Sequence, residues 1–310
     1  MNNKTLLIVF AVLVAVYLLS KLTSGNRQSS FDPQIVQVDT SAVTEITLSP
    51  KAENGNQITL RKENGQWSAQ MNGRRVNTPY TKVSPMLGQL TNISAKRVVS
   101  NTPEKWPEYE VDEQGSAVTV RGGSRVLADV VVGTFKFDQA QRSASSYIRR
   151  TDGDEVYLVD GFLSMQFNQG FNAFRDNQLV KLNREDLRRL TLASPAENAA
   201  IQYMEEDGRW YYAGMEALDS TQMAQYISGL TSTFGSEYVD DFTPGAPLKS
   251  LQIAGNNLLT PVTVSCYASQ DSTKPFVLHS SMNPETHFLS DSAGVYNRVF
   301  GKLEQILADR

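Results

Sequence analysis

The chain has 310 residues, with 29 Lys and Arg against 33 Asp and Glu, for a formal net charge of −4. That length has room for about two domains, and an apolar content of 40% supplies ordinary packed cores, which excludes a mainly disordered chain. Residues 1–30 carry Lys4, Lys21 and Arg27 and no acid, so the rest is acidic at −7; without clustered Lys and Arg, nucleic acid and anionic surfaces are excluded as main partners.

Thr5 to Leu19 are uncharged and almost wholly apolar, bracketed by Lys4 and Lys21. As a helix, the window to Ser20 spans about 24 Å, and snorkelling lysines extend its reach toward the two interfaces. No small-x-small cleavage site follows, so residues 5–22 are expected to be an uncleaved transmembrane signal anchor, after a tail at residues 1–4. Membrane lipid is then the expected partner of the N-terminal helix, and a short tail before a large C-terminal domain fits the bulk of the chain lying outside the cytoplasm. Residues 23–40 read as a linker, with SGNRQSS as a flexible stalk.

Beyond the linker the same pattern occurs twice. In the first copy, residues 41–182, Val43 to Leu48 and Ile58 to Leu60 alternate as strands around Asn54-Gly55-Asn56. Asn64-Gly65 is a turn, and Trp67 resumes the strand pattern. A helix follows with Val83, Met86, Leu87, Leu90 and Ile93 on one face, and either Pro79 or Pro85 suits its start. Strands are expected at Ala117 to Val120, Val126 to Val132, Ser146 to Arg149 and Val156 to Val159. Phe162 to Phe174 then read as a helix broken near Gly170.

The second copy, residues 183–310, repeats this order. Leu187 to Leu192 and Ala200 to Met204 are strands, and Gly208-Arg209-Trp210 matches the earlier turn and tryptophan. Asp219 or Ser220 caps a helix whose face is Met223, Tyr226, Ile227, Leu230 and Phe234. Leu248 to Ile253, Pro261 to Tyr267, Phe276 to His279 and His287 to Leu289 follow as strands, and Val295 to Leu307 as a last helix. Trp67 and Trp210 lie 143 residues apart, whereas Leu158 and Phe288 lie 130 apart, a shrinkage that loop deletions produce. The expected fold is α+β: an N-terminal single transmembrane helix followed by two tandem similar modules, each an antiparallel-rich sheet with two helices.

Catalytic chemistry has no recognisable carrier. There is no GxSxG elbow and no GxGxxG or GxxxxGK[ST] phosphate loop. Cys266, the one cysteine, alternates within Val262 to Tyr267 as a packed strand thiol. His279 and His287, with Glu285 and Asp291, match no metal-ligand spacing, and on alternating strands the two histidines are free to face opposite sides. Asp240-Asp241 and Glu205-Glu206-Asp207 read as solvated turns, and Arg149-Arg150 and Arg188-Arg189 as surface pairs. No catalytic residue, metal or cofactor is expected. Arg175-Asp176, at the junction between copies, and Trp106, between Pro103 and Pro107, are the candidate partner contacts.

The opening order of strand, hairpin, Gly-x-Trp and helix, the segments Tyr147-Ile148-Arg149 and Val156-Tyr157-Leu158, and above all Phe174-Arg175-Asp176-Asn177-Gln178-Leu179 resemble the bacterial domain-of-unknown-function 4340 family. The resemblance covers roughly residues 40 to 290. It implies a single-pass protein of the bacterial inner membrane whose bulk faces the periplasm and which accompanies ABC transport systems related to those of gliding motility. It transfers no catalytic residues. The expected function is therefore a non-enzymatic accessory or scaffold of a membrane transport complex. The alternative is an extracytoplasmic binding module for a polysaccharide or peptide, using Trp106 and a cleft expected between the copies.

Overall fold

The computed structural model describes residues 34–310 apart from residues 141, 196 and 197. The first half supplies β1 (Gln34–Val36), β2 (Glu45–Ser49), β3 (Ile58–Glu63), β4 (Gln66–Met71), β5 (Arg74–Thr78), α1 (Tyr80–Leu90), β6 (Ile93–Ser100), α2 (Trp106–Tyr109), β7 (Ser116–Gly122), β8 (Arg125–Asp138), β9 (Ser143–Arg150), β10 (Val156–Asp160) and α3 (Leu163–Phe167). The second half supplies β11 (Gln178–Lys181), β12 (Leu187–Ala193), β13 (Asn198–Met204), β14 (Arg209–Tyr212), β15 (Glu216–Ala217), α4 (Ser220–Leu230), β16 (Ser232–Phe234), β17 (Tyr238–Val239), β18 (Lys249–Gly255), β19 (Val262–Ala268), β20 (Phe276–Ser280), β21 (Asn283–Ser290) and α5 (Lys302–Ala308).

These elements form two compact units. One combines the described residues up to Lys51 with Met86–Asn168; the other combines Ala52–Pro85 with Gln169–Arg310. In the first, antiparallel pairing runs β1-β6-β10-β9-β8-β7-β2. The second holds the β3-β4-β5 meander, a β11–β16 pair and a sheet in the order β15-β14-β13-β12-β18-β19-β20-β21-β17. The run β2-β7-β8-β9-β10 has the same succession as β12-β18-β19-β20-β21, and β3-β4-β5 the same as β13-β14-β15. An eleven-residue helix, α1 or α4, follows each meander.

The expected fold class needs correction. The described residues are mostly β-sheet, and no helix among them is long and apolar enough to cross a membrane. The predicted anchor, residues 5–22, lies outside the described residues. The gain in strand has a local cause. Asn64-Gly65 and Asn72-Gly73 each place two successive residues at positive φ, between 50° and 82°. That is the backbone of a two-residue hairpin turn, in which the twist of the turn matches the twist of the strands. The second of these turns makes β5, and Ile93–Ser100 make β6, from stretches with no expected strand. Helix is lost where one was expected over Phe162 to Phe174. It stops at Phe167, Gly170 is extended, and only a 3-10 turn forms at Phe171–Phe174. Glu53 accepts a hydrogen bond from the Phe171 amide at 2.7 Å, satisfying a donor that a continuous helix would have paired internally. The last helix is also shortened, because Asn297–Gly301 form a π-turn ahead of α5. Pro85 sits inside α1, whereas Pro79 immediately precedes it.

The core of the second unit follows from strand alternation. Leu190 lies opposite both Ile201 and Ile253, and Leu251 opposite Val264, so one face of the sheet is continuous apolar surface. Met223, Tyr226, Ile227 and Leu230 of α4 and Val299, Phe300 and Leu303 near the C-terminus cover it. The Tyr226 hydroxyl donates to the Val299 carbonyl at 2.8 Å, joining the two helical segments through a buried bond. In the first unit, Val111, Val131 and Val156 form a smaller cluster edged by Val99, Trp106, Tyr109 and Tyr147.

Candidate functional site

Arg175 and Asp176 lie in the turn between the Phe171–Phe174 helical turn and β11, which closes a cleft of about 380 Å³ in the second unit. Arg175 is only 4% exposed. Its Nη2 meets Asp240 Oδ1 at 2.9 Å, and its guanidinium stacks 4.1 Å from the Tyr238 ring centroid. Asp240 is shared: Arg74 Nη1 reaches it at 3.0 Å, while Arg74 Nη2 bonds Asp241 at 2.8 Å. A buried cation needs such pairing because desolvation alone costs several kcal/mol. The Nε of Arg175 has no hydrogen-bond partner among the described residues. Burial pushes the Tyr238 phenol up, with the Arg175 cation opposing the shift and Asp176 adding to it.

Asp176 turns inward on the backbone. Its carboxylate accepts from the Gln178 amide at 3.0 Å, and its carbonyl accepts from Asn283 Nδ2 at 3.1 Å. Asn283 also donates to the Gln178 carbonyl, so this side chain stitches β21 to the start of β11. Glu285, on the same wall, accepts from Asn77 Nδ2 at 2.7 Å. The polar groups of the cleft are largely satisfied by one another, and the arrangement holds chain segments in register rather than presenting a poised acid or base.

His279 and His287 share a face of the sheet. They are direct cross-strand partners on β20 and β21, and their rings stack with centroids 4.8 Å apart. Alternation within each strand does not separate them, because the register places them opposite each other. His279 Nε2 lies 3.2 Å from the Pro284 carbonyl, and Phe242 packs 5.1 Å from His287. Burial, then the neighbouring His279, holds His287 below the usual imidazole range. Among the described residues no group of three or more His, Cys, Asp or Glu is placed to hold a metal ion. Cys266 is buried, and its thiol is pushed up to about 12 chiefly by desolvation, the reverse of what a nucleophile needs.

Trp106 opens α2 and is half-buried against the valine cluster of the first unit. Its indole N–H donates to the Asp154 carbonyl at 3.0 Å, and the Arg149 guanidinium lies 3.9 Å over its ring. Arg149, expected on the surface, is buried and donates to the carbonyls of Val111, Arg150 and Gly153. The indole thus has one face covered and its donor engaged, so its local role is to pin the 103–111 loop.

The sequence reading missed an exposed apolar surface in the first unit. Phe135 and Phe137 near the end of β8, Phe162, and Met165 on α3 are between 43% and 61% exposed. Phe162 packs edge-on to Phe135 at 5.7 Å and stacks with Phe137 at 6.3 Å. Strand alternation puts Phe135 and Phe137 on one face, and this Phe-x-Phe spacing was the available signal. β8 continues to Asp138 because Phe135 to Asp138 pair with Ser146 to Ser143 of β9.

Comparison with known proteins finds no matching curated protein and no matching solved structure. The model of one family, described as domain of unknown function (DUF4340), matches residues 79–249. That stretch takes in Trp106, the Phe135–Met165 surface, Arg175, Asp176 and Asp240. Because it spans more than half of the sequence, the chain belongs to the DUF4340 family.

Proposed function

We propose that this protein is a non-enzymatic accessory or scaffold component of a membrane transport complex, docking a partner protein on the Phe135, Phe137, Phe162 and Met165 surface. The observation that carries this reading is that surface itself. Three aromatic rings and a flexible thioether lie together in water at the end of a long hairpin, whereas exposed apolar residues on a monomer are normally scattered. Aromatic residues and Met are enriched where proteins meet. The transport setting comes from what the family resemblance implies.

The test is crosslinking in intact membranes followed by affinity purification of the full chain, alongside a Phe137→Ser, Phe162→Ser variant. Transporter subunits are expected to accompany the native chain, and their recovery to fall about tenfold in the variant, as for interface anchors. A urea unfolding curve checks that the variant is folded. Recovery of the native chain alone, or undiminished partner recovery in a folded variant, overturns the reading.

A further inference from the structure

The second unit contains a larger cleft, of about 500 Å³, away from the Arg175 site. Its walls come from the β11–β12 connection, β13, β14 and the start of α4. Arg184, Arg188 and Arg209 line it against one acid, Glu185, in a chain that is acidic overall. Tyr203 and Trp210 form an aromatic wall, cross-strand partners with ring centroids 5.4 Å apart. Ser220 supplies a hydroxyl at one edge.

The three arginines are not equivalent. Arg188 is held by Glu205 at 2.9 Å and lies 5.5 Å from the Tyr203 ring centroid. Among the described residues, the exposed guanidinium groups of Arg184 and Arg209 make no ion pair or hydrogen bond. The Asp219 carboxylate beside Ser220 is turned onto the Gln222 amide at 2.7 Å, where it caps α4.

The two copies differ at these positions. Aligning Ile46-Thr47-Leu48 with Leu190-Thr191-Leu192 sets Thr44 where Arg188 stands and Thr40 where Arg184 stands. Gln66 precedes Trp67 where Arg209 precedes Trp210. Trp67 is buried, whereas Trp210 is half-buried and lines the cleft. A tryptophan that is pure core in one copy is thus opened to a basic pocket in the other. Strand packing does not require all three arginines to appear together with that opening.

We propose that this cleft binds an anionic carbohydrate, its ring packed on Trp210 and Tyr203 and its carboxylate or phosphate on Arg184 and Arg209. A planar guanidinium fork matches either anion in a bidentate way. A sugar ring offers a face of C–H groups and a rim of hydroxyls, which suits aromatic side chains that are apolar across the face and polar at one end. The volume lies within the range of small-molecule sites, roughly 300–1,000 Å³. This binding is separate from the partner docking proposed above and does not depend on it.

The experiment is titration calorimetry of the full chain with four probes: tri-galacturonate, galactose 6-phosphate, neutral galactotriose and inorganic phosphate. Saturable binding is expected for at least one of the two anionic sugars, and which one binds tighter identifies the source of the anion. Affinity should fall about tenfold or more in an Arg184→Ala, Arg209→Ala variant, and should weaken with added salt because the site opens to solvent. Both positions are on the surface, so the variant is expected to unfold at the same urea concentration as the native chain. The proposal is overturned if neither anionic sugar binds saturably, or if the folded variant binds unchanged. It is also overturned if galactotriose binds as tightly as the uronate, which removes the role of charge. Inorganic phosphate binding as tightly as galactose 6-phosphate would leave a small-anion site and remove the sugar.

Discussion

Arg175 shows how burial rather than proximity sets the worth of an ion pair. Both Arg175 and Arg74 reach Asp240, at 2.9 and 3.0 Å. Arg175 is enclosed and stacked on Tyr238, with no competing water for most of its guanidinium, whereas the Arg74 side chain is 37% exposed. Arg175→Ala removes a desolvated cation, its aromatic stacking and the stem that fills the turn. A loss of about 2–4 kcal/mol of stability is expected, read as a drop in the urea midpoint. Arg74→Ala should leave that midpoint nearly unchanged, because exposed pairs are screened by water and salt. Equal losses in the two variants would show that the burial difference carries no energetic weight. The sequence singled out Arg175 as a candidate partner contact from its position at the junction between copies. Its ion-pair partner was not legible, since Asp240 lies 65 residues further on, in a segment that reads locally as a polar turn.

At the scale of elements, the β20–β21 pair brings His279 and His287 together, and a pH dependence follows. The imidazole of His287 sits below its ordinary value because burial, and then the charge of His279, oppose its protonation. The unfolded chain therefore takes up that proton before the folded one does. Stability from this group is fully present above the unfolded value of 6.5 and is lost as pH falls through the lower folded value. Urea midpoints are expected to decline between about pH 7.5 and about pH 5, and His287→Asn should flatten that decline. A slope unchanged by the substitution would place its origin elsewhere. The same pair shows what local reading misses. Strands β19, β20 and β21 are visible in Pro261 to Tyr267, Phe276 to His279 and His287 to Leu289, because alternation is a property of neighbouring residues. Register is not, since it depends on which residue of one strand meets which residue of another. Helix α4 was legible for the opposite reason: its Asp219 cap and its Met223, Tyr226, Ile227 and Leu230 face are all local. The Phe162 to Phe174 stretch failed because its apolar spacing suits a helix while the extended Gly170 and the Glu53 carboxylate, far away in sequence, terminate it.

At the scale of the chain, the repeat and the compact units do not coincide. The strand succession of one copy is that of the other, yet residues 52–85 group with 169–310. Several bonds run between the two stretches of that unit: Arg74 to Asp240 and Asp241, Asn77 to Glu285, and Glu53 to the Phe171 amide. A boundary drawn at residue 183 from the repeat alone also cuts off β11, whose Leu179 and Val180 are fully buried in the core shared with α4 and the C-terminal helix. Burying two such side chains is worth about 1.5–3 kcal/mol each. That is a large share of the 5–15 kcal/mol that holds a typical domain together. A fragment of residues 183–310 is therefore expected to be aggregation-prone or to unfold at much lower urea than the full chain, with loss of the sharp cooperative transition. Extending it to residues 169–310 restores β11 and should recover part of the stability. Adding residues 52–85 as a separate peptide should raise the midpoint further, chiefly through the part-buried Glu53 bond to the Phe171 amide and the packing of that stretch, with little from the Arg74 pairs. A 183–310 fragment as stable as the full chain would mean that the sequence repeat, and not the grouping seen in the contacts, defines the folding unit.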